Sequence, residues 1–166
     1  HGVDRVVFVN AHGGNVSHLR GVGRRLRDDG TLYAVEWMWD ESIPEKIDEH
    51  FDRPGPRGGP KETSMMLHLD RANVAEGRIE AARDGGLADP ESDDYRVHGA
   101  RTFYDALDNT ENGVLGDQTE ASAAAGAELF AAARDQLVAL LRWLDDQPRD
   151  DLMAKPHVDP QPGSRR

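Results

Sequence analysis

The strongest constraint on the fold lies in the first 39 residues. Val3-Asp4-Arg5-Val6-Val7-Phe8-Val9 ends in a nearly continuous run of β-branched and aromatic residues, the pattern of a fully buried parallel strand. Asn10-Ala11-His12-Gly13-Gly14-Asn15 follows as a polar, glycine-rich turn. Asn15 to about Asp28 fits a helix, with Leu19, Val22 and Leu26 at helical spacing and Asn15 or Ser17 as its cap. Gly30 stops that helix, and Thr31 to Trp39 reads as a second strand. Strand, turn, helix and strand in this order form a βαβ unit. The expected class is therefore α/β, a mostly parallel sheet flanked by helices.

Beyond this unit the signals are less even. Residues 40 to 60, rich in Pro, Gly and charge, are expected to be a loop, and Glu62 to Leu69 a helix that Thr63 or Ser64 helps to start. Asn73 to Asp117 carries little periodicity, with loop expected at Gly85-Gly86 and Asp89-Pro90. Thr119 to Leu144 is the clearest helix, with Leu129, Phe130, Ala133, Leu137, Leu140, Leu141 and Leu144 as its apolar stripe. From Gln147 onward, four prolines and scattered charge predict a disordered tail, leaving residues 1–146 as the folded part.

Composition narrows the partners. A net charge of -11 over 166 residues argues against nucleic acid, because phosphate contacts require clustered Lys and Arg. No apolar run approaches the ~20 residues that cross a bilayer, so no membrane partner is expected. The absence of cysteine excludes disulfides and thiolate chemistry and suits a cytoplasmic protein. Of the 20 basic residues, 17 are Arg and three are Lys (Lys46, Lys61, Lys155). A lysine-poor, highly charged surface suits a salt-loving organism, with a GC-rich genome as the alternative source of the bias. Residue 1 is His and a strand begins almost at once, so the chain is expected to be the interior of a longer protein.

Two places can carry chemistry. Ligands of open α/β sheets sit outside the carboxyl ends of the strands, and His12 lies two residues past such an end. Gly13 and Gly14 permit positive φ and close ligand approach, and Asn10 and Asn15 can tie the turn together. An imidazole there can bind a metal or move a proton; the plainer alternative is a solvated histidine in a glycine turn. Glu62, behind Gly58-Gly59-Pro60-Lys61, can bind a cation, or can simply favour a helix start. Trp37, Trp39 and Asp40 end the second strand and either line a pocket or, for the tryptophans, join the core. His68 reads as structural, and His50 sits in a charged loop.

Together these segments are more specific than any one alone. Asn-x-His-Gly-Gly-Asn after a strand, then Glu62-Thr63-Ser64, then Gly113-Val114-Leu115-Gly116-Asp117 with Ala121 and Gly126 downstream, resembles the creatininase (creatinine amidohydrolase) family over about residues 2 to 145. The resemblance implies a three-layer α/β sandwich, a divalent-metal amide hydrolase and a homo-hexamer. It makes His12 a metal ligand and places Glu62 at the active site, as ligand and catalytic group. Asn10, Gly13, Gly14, Asn15, Trp39, Asp40 and Arg57 then become candidates for contacting substrate or supporting the site. Imidazole and carboxylate ligands suit Zn, Mn or Fe(II).

Three departures qualify the match. The family's other ligands, a Glu-x-His pair and an Asp, belong to a more N-terminal segment. Creatininases carry glutamate where this chain has Gly14, which points away from creatinine as substrate. The family's His-Ala-Gly before Glu-Thr-Ser is here Arg57-Gly58-Gly59, and Arg57 can hold a phosphate or carboxylate. An archaeal deformylase of a formylaminopyrimidine ribonucleotide, a branch acting in riboflavin and deazaflavin biosynthesis, is the substrate expectation that follows. The alternative is a truncated or degenerate member that keeps fold and assembly without catalysis. A dinucleotide-binding module fits less well, because the turn lacks Gly-x-Gly-x-x-Gly spacing.

Overall fold

The computed structural model of the chain describes residues 2–83, 96–98, 100–101 and 110–155; the loop expected at Gly85-Gly86 and Asp89-Pro90 lies outside them. The chain divides into two compact units, His1–Ser42 with Leu137–Arg166, and Ile43–Gln136.

The first unit contains the βαβ element. Strand β1 (Arg5–Asn10) and strand β2 (Tyr33–Met38) pair in parallel, from Arg5 opposite Tyr33 to Asn10 opposite Met38. Helix α1 (Val16–Asp28) connects them, and its more buried row is Val16, Leu19, Gly23 and Leu26. Val22 is exposed, because Gly23 takes the place against β2: a Cβ on Gly23 would lie 3.4 Å from the Ala34 carbonyl oxygen. The expectation of a fully buried β1 is corrected as well. Val6, Val7 and Phe8 are half-buried and Val9 is 63% exposed, since among the described residues the sheet has only two strands. β2 ends at Met38, one residue before the buried Trp39.

The C-terminal segment is tied to this unit. Helix α4 (Ala123–Asp146) ends where the Arg5 guanidinium donates to the carbonyls of Leu144, Asp145 (3.1 Å) and Gln147 (2.7 Å). A short helix, α5 (Arg149–Leu152), follows with Leu152 buried and its carbonyl accepting Arg27 Nε at 2.9 Å. The tail expected from Gln147 is therefore ordered through Leu152, because Arg27 and Arg149 supply donors that local composition does not show. Residues 156–166 of that tail lie outside the described residues.

The second unit is mainly helical. Within the expected loop, Pro44–His50 forms helix α2: Pro44 sits in its first turn with Glu45, and Ile43, Ile47 and Phe51 are buried at fourfold spacing. The Pro, Gly and charge around it mask that period. Helix α3 (Pro60–Leu69) begins at Pro60, which pre-sets the first helical φ, and buries Pro60, Ser64 and Leu67. Short 3-10 turns cover Arg71–Asn73, Glu76–Arg78 and Glu80–Ala82, and strands β3 (Arg96–Val97) and β4 (Ala100–Arg101) pair antiparallel. A 3-10 turn at Gln118–Glu120 precedes α4, so the long helix starts four residues later than expected. Ala125, Leu129 and Ala133 are the buried positions of its first half, whereas Phe130 is 39% exposed and meets the His68 ring at 5.7 Å. Phe130 and Leu141 thus lie off the buried row, one residue around the helix from Leu129 and Leu140.

Candidate functional site

In the first unit, the turn after β1 is organised by Asn10, which is 3% exposed. Its Nδ2 donates to Glu36 Oε1 at 3.1 Å, and its Oδ1 accepts the His12 backbone N–H at 3.1 Å and Asn15 Nδ2 at 3.4 Å. The Asn15 N–H donates to the His12 carbonyl at 3.0 Å, closing the Gly13–Asn15 3-10 turn that leads into α1. Asn10 and Asn15 therefore tie the turn as expected. Neither Asn15 nor Ser17 caps α1 by its side chain, because the Asn15 amide is engaged with Asn10 and Ser17 Oγ contacts His18 Nδ1 at 3.4 Å.

His12 has an extended backbone and an exposed side chain. Its Nε2 lies over Gly14, where a Cβ would stand 2.8 Å away. Gly13 and Gly14 do not have positive φ; what Gly14 supplies is room for the imidazole, and around Gly13 there is open space. Because β1 and β2 are parallel, Trp39 and Asp40 leave the sheet at the same end as this turn. Trp39 is 9% exposed and its carbonyl accepts Ser42 Oγ at 2.6 Å; Asp40 Oδ1 accepts the Glu41 N–H at 3.0 Å. Two further participants were not expected. Glu36, with a side chain 4% exposed, joins Asn10 to Arg20, whose Nε is 3.3 Å from its Oε2. A single carboxylate inside Tyr-Ala-Val-Glu-Trp-Met was the available signal.

The second unit gathers the other motifs around the start of α3. Glu62 is half-buried, and its Oε2 accepts the Gly59 N–H at 2.7 Å, the helix-start role weighed above. Thr63 Oγ1 donates to Gln118 Oε1 at 2.8 Å, and Ser64 Oγ accepts the Ser122 N–H at 3.0 Å. Gly126 touches Ser64, since a Cβ there would lie 1.9 Å from the Ser64 carbonyl oxygen. The Arg57 carbonyl accepts the Leu115 N–H at 2.8 Å and the Arg53 carbonyl accepts the Asp117 N–H at 3.2 Å, so the two glycine-rich segments run side by side. Arg57 is exposed. The Thr119 hydroxyl and backbone N–H both donate to Asp117 and hold its carboxyl below the usual carboxylate range. Gln118, 3% exposed, is a third residue that motif reasoning passed over.

His12 and Glu62 thus belong to different units. An exposed imidazole on a turn whose backbone N–H is held by Asn10, and a half-buried carboxylate at a helix start, are each of a type that can ligate a divalent ion. Among the described residues no three His, Asp or Glu side chains converge to hold an ion, and a catalytic zinc site typically takes about three protein ligands.

The family model for creatininase, creatinine amidohydrolase, matches residues 1–141. A mycofactocin precursor peptide peptidase of Mycobacterium ulcerans (strain Agy99) is 35% identical over 141 residues, covering 84% of this chain and 49% of that protein. Its counterpart in Mycobacterium tuberculosis (strain ATCC 25618 / H37Rv) is 36% identical over 145 residues, with the same two coverages. The chain therefore spans about half the length of the curated relatives it matches. A crystal structure from Bacteroides fragilis NCTC 9343, described as a creatinine amidohydrolase, superposes with a TM-score of 0.69 over 89% of this chain and 56% of the other, at 20% identity. That likeness establishes the expected creatininase-like α/β fold. With the family model covering most of its length and its motifs in the family's order, the chain belongs to the creatininase family.

Proposed function

We propose that this chain carries part of the active site of a divalent-metal amidohydrolase that cleaves a peptide-type C–N bond. The observation that carries the reading is the pinned turn at the carboxyl end of β1, which presents the His12 imidazole with its backbone held by Asn10. In this reading His12 and Glu62 are metal ligands, and Glu62 also faces the reacting amide. Zn, Mn and Fe(II) all suit these ligands. A bound ion lowers the pKa of its water and polarises the amide carbonyl. The chain's own residues do the rest: Asn10 and Asn15 hold the turn, Gly14 leaves room for the ring, and Trp39 and Asp40 line the adjoining end of the sheet. Arg57, exposed beside the Glu62 segment, is assigned to an anionic group of the substrate.

The relatives are named for cleaving a peptide precursor, and this moves the substrate expectation from a formylaminopyrimidine nucleotide to a peptide. They are also mycobacterial, so a salt-loving source rests on composition alone and an archaeal one on the likeness to the deformylase branch. No helix among the described residues is long and apolar enough to cross a membrane. A homo-oligomeric, cytoplasmic enzyme is the assembly we infer.

The test compares the 166-residue chain with a version extended to the length of its relatives. Metal content and hydrolysis of a peptide amide, a formylaminopyrimidine nucleotide and creatinine are measured on both. Bound metal that is lost on His12→Ala, together with peptide cleavage by the extended form, supports the reading. An extended form that binds no divalent metal refutes it and favours the non-catalytic alternative.

A further inference from the structure

We infer that Glu36 is a positioning residue for His12, acting through the side-chain amide of Asn10; this rests on the metal-ligand reading of His12 above. Glu36 stands in the middle of β2 with a side chain only 4% exposed, a costly place for a carboxylate unless it has a task. An ionised carboxylate only accepts hydrogen bonds, whereas an asparagine amide has one accepting and one donating end. Glu36 Oε1 at 3.1 Å from Asn10 Nδ2 therefore admits one orientation of the Asn10 amide. That orientation turns Oδ1 toward the turn, where it accepts the His12 N–H at 3.1 Å and Asn15 Nδ2 at 3.4 Å. A flipped amide would set acceptor against acceptor at Glu36 and donor against donor at the His12 N–H.

The other contact of Glu36 completes the device. Arg20, on α1, reaches Oε2 at 3.3 Å and bridges to Glu41 at 3.5 Å. The Arg20 side chain is 59% exposed, so this contact of Glu36 lies at the solvent side. The buried end of this hydrogen-bonded series is thus Asn10 at 3% exposure, and the Arg20 end faces solvent. Order runs from buried carboxylate to amide to turn to imidazole. Groups that orient a metal ligand from behind typically change metal affinity about 10–100-fold when removed.

The test uses the whole chain, labelled for nuclear magnetic resonance. Hydrogen exchange at the His12 amide reports its bond to Asn10, and Zn2+ titration followed at the His12 ring reports metal engagement. Glu36→Met, which keeps bulk and removes the acceptor, is expected to speed exchange at the His12 amide and to weaken Zn2+ binding about 10–100-fold, with far-UV circular dichroism unchanged. Glu36→Gln keeps an acceptor for Asn10 Nδ2 and is expected to restore both readouts, which a purely charge-based role for Glu36 would not allow. Parent-like exchange and affinity in a folded Glu36→Met overturn the proposal. If Glu36→Met does not fold, the parent and Glu36→Gln decide: protected His12 amides in both support the proposal, and rapid exchange in either overturns it. A parent whose His12 ring ignores Zn2+ refutes the metal reading, while the exchange comparison still decides the positioning role.

Discussion

Replacing Gly126 by alanine sets two physical effects of opposite sign against each other at one atom. On an exposed helical position glycine to alanine stabilises by about 1 kcal/mol, through lower backbone entropy in the unfolded chain. At Gly126 the added Cβ would lie 1.9 Å from the Ser64 carbonyl oxygen, 2.5 Å from its carbon and 3.0 Å from His68 Cβ. Ordinary contact starts at 3.4 Å, so α4 must retreat from α3 by 1.5 Å, and the obstacle is backbone that cannot rotate aside. Ser64 and Leu129 are both 0% exposed, so the retreat opens gaps around the best-buried side chains of this unit. Overpacking of this kind costs about 1–3 kcal/mol, and an immovable obstacle places it at the upper end. The net expectation is destabilisation of about 2 kcal/mol, or a melting temperature lower by about 4–8 °C. Gly21 on α1 is the internal control, since a Cβ there meets nothing within 4 Å. Gly21→Ala should raise the melting temperature by about 2–4 °C. Thermal and urea unfolding of both variants tests the reasoning. Gly126→Ala melting at or above the parent would refute the claimed backbone contact.

Other expectations concern charge, metal and surface. The Asp117 carboxyl, held low in the folded state by Thr119, stabilises the fold above its ordinary value of 3.8 and loses that contribution as pH falls through the lowered native value. Asp117→Asn should therefore lower stability at neutral pH and flatten the acid limb of a pH–melting curve; an unchanged acid limb would contradict the role given to Thr119. His12→Ala removes an exposed ring and should leave the melting temperature within about 1 °C while lowering bound divalent metal, measured by elemental analysis. Val9 and Leu141, 63% and 48% exposed, line an open apolar groove with Val7, Leu137 and Leu144. The chain should accordingly self-associate, and Val9→Lys with Leu141→Lys should shift sedimentation toward the monomer.

Much of the fold was legible in the order of residues because its signals are local. An apolar β-branched run, a glycine turn and a helical period between Val3 and Trp39 leave few alternatives to a parallel βαβ unit, and the spacing of Leu129, Ala133, Leu137, Leu140 and Leu144 declares a helix by itself. What was missed depended on partners distant in sequence or on context that hid a short period. Helix α2 has a buried row, Ile43, Ile47 and Phe51, that is clear once the surrounding Pro and charge are set aside. Leu152 looked like tail because the Arg27 donor that holds its carbonyl lies 125 residues away in sequence. Val22 looked inward because hydropathy cannot record that Gly23 permits closer approach to β2.

The same division holds at the candidate site. Sequence alone determined the family, since His12 in its glycine turn and Glu62 before Thr63-Ser64 are recognisable by identity and spacing. It could not say why the flanking residues are what they are. Only tertiary structure shows Gly126 against Ser64, Gln118 against Thr63 and Glu36 behind Asn10, contacts between segments 26 to 62 residues apart. The physical reason is range. Strand and helix patterns arise from neighbours along the chain, whereas hydrogen-bond partners and close backbone approaches are chosen by packing, which brings together residues that the sequence lists far apart.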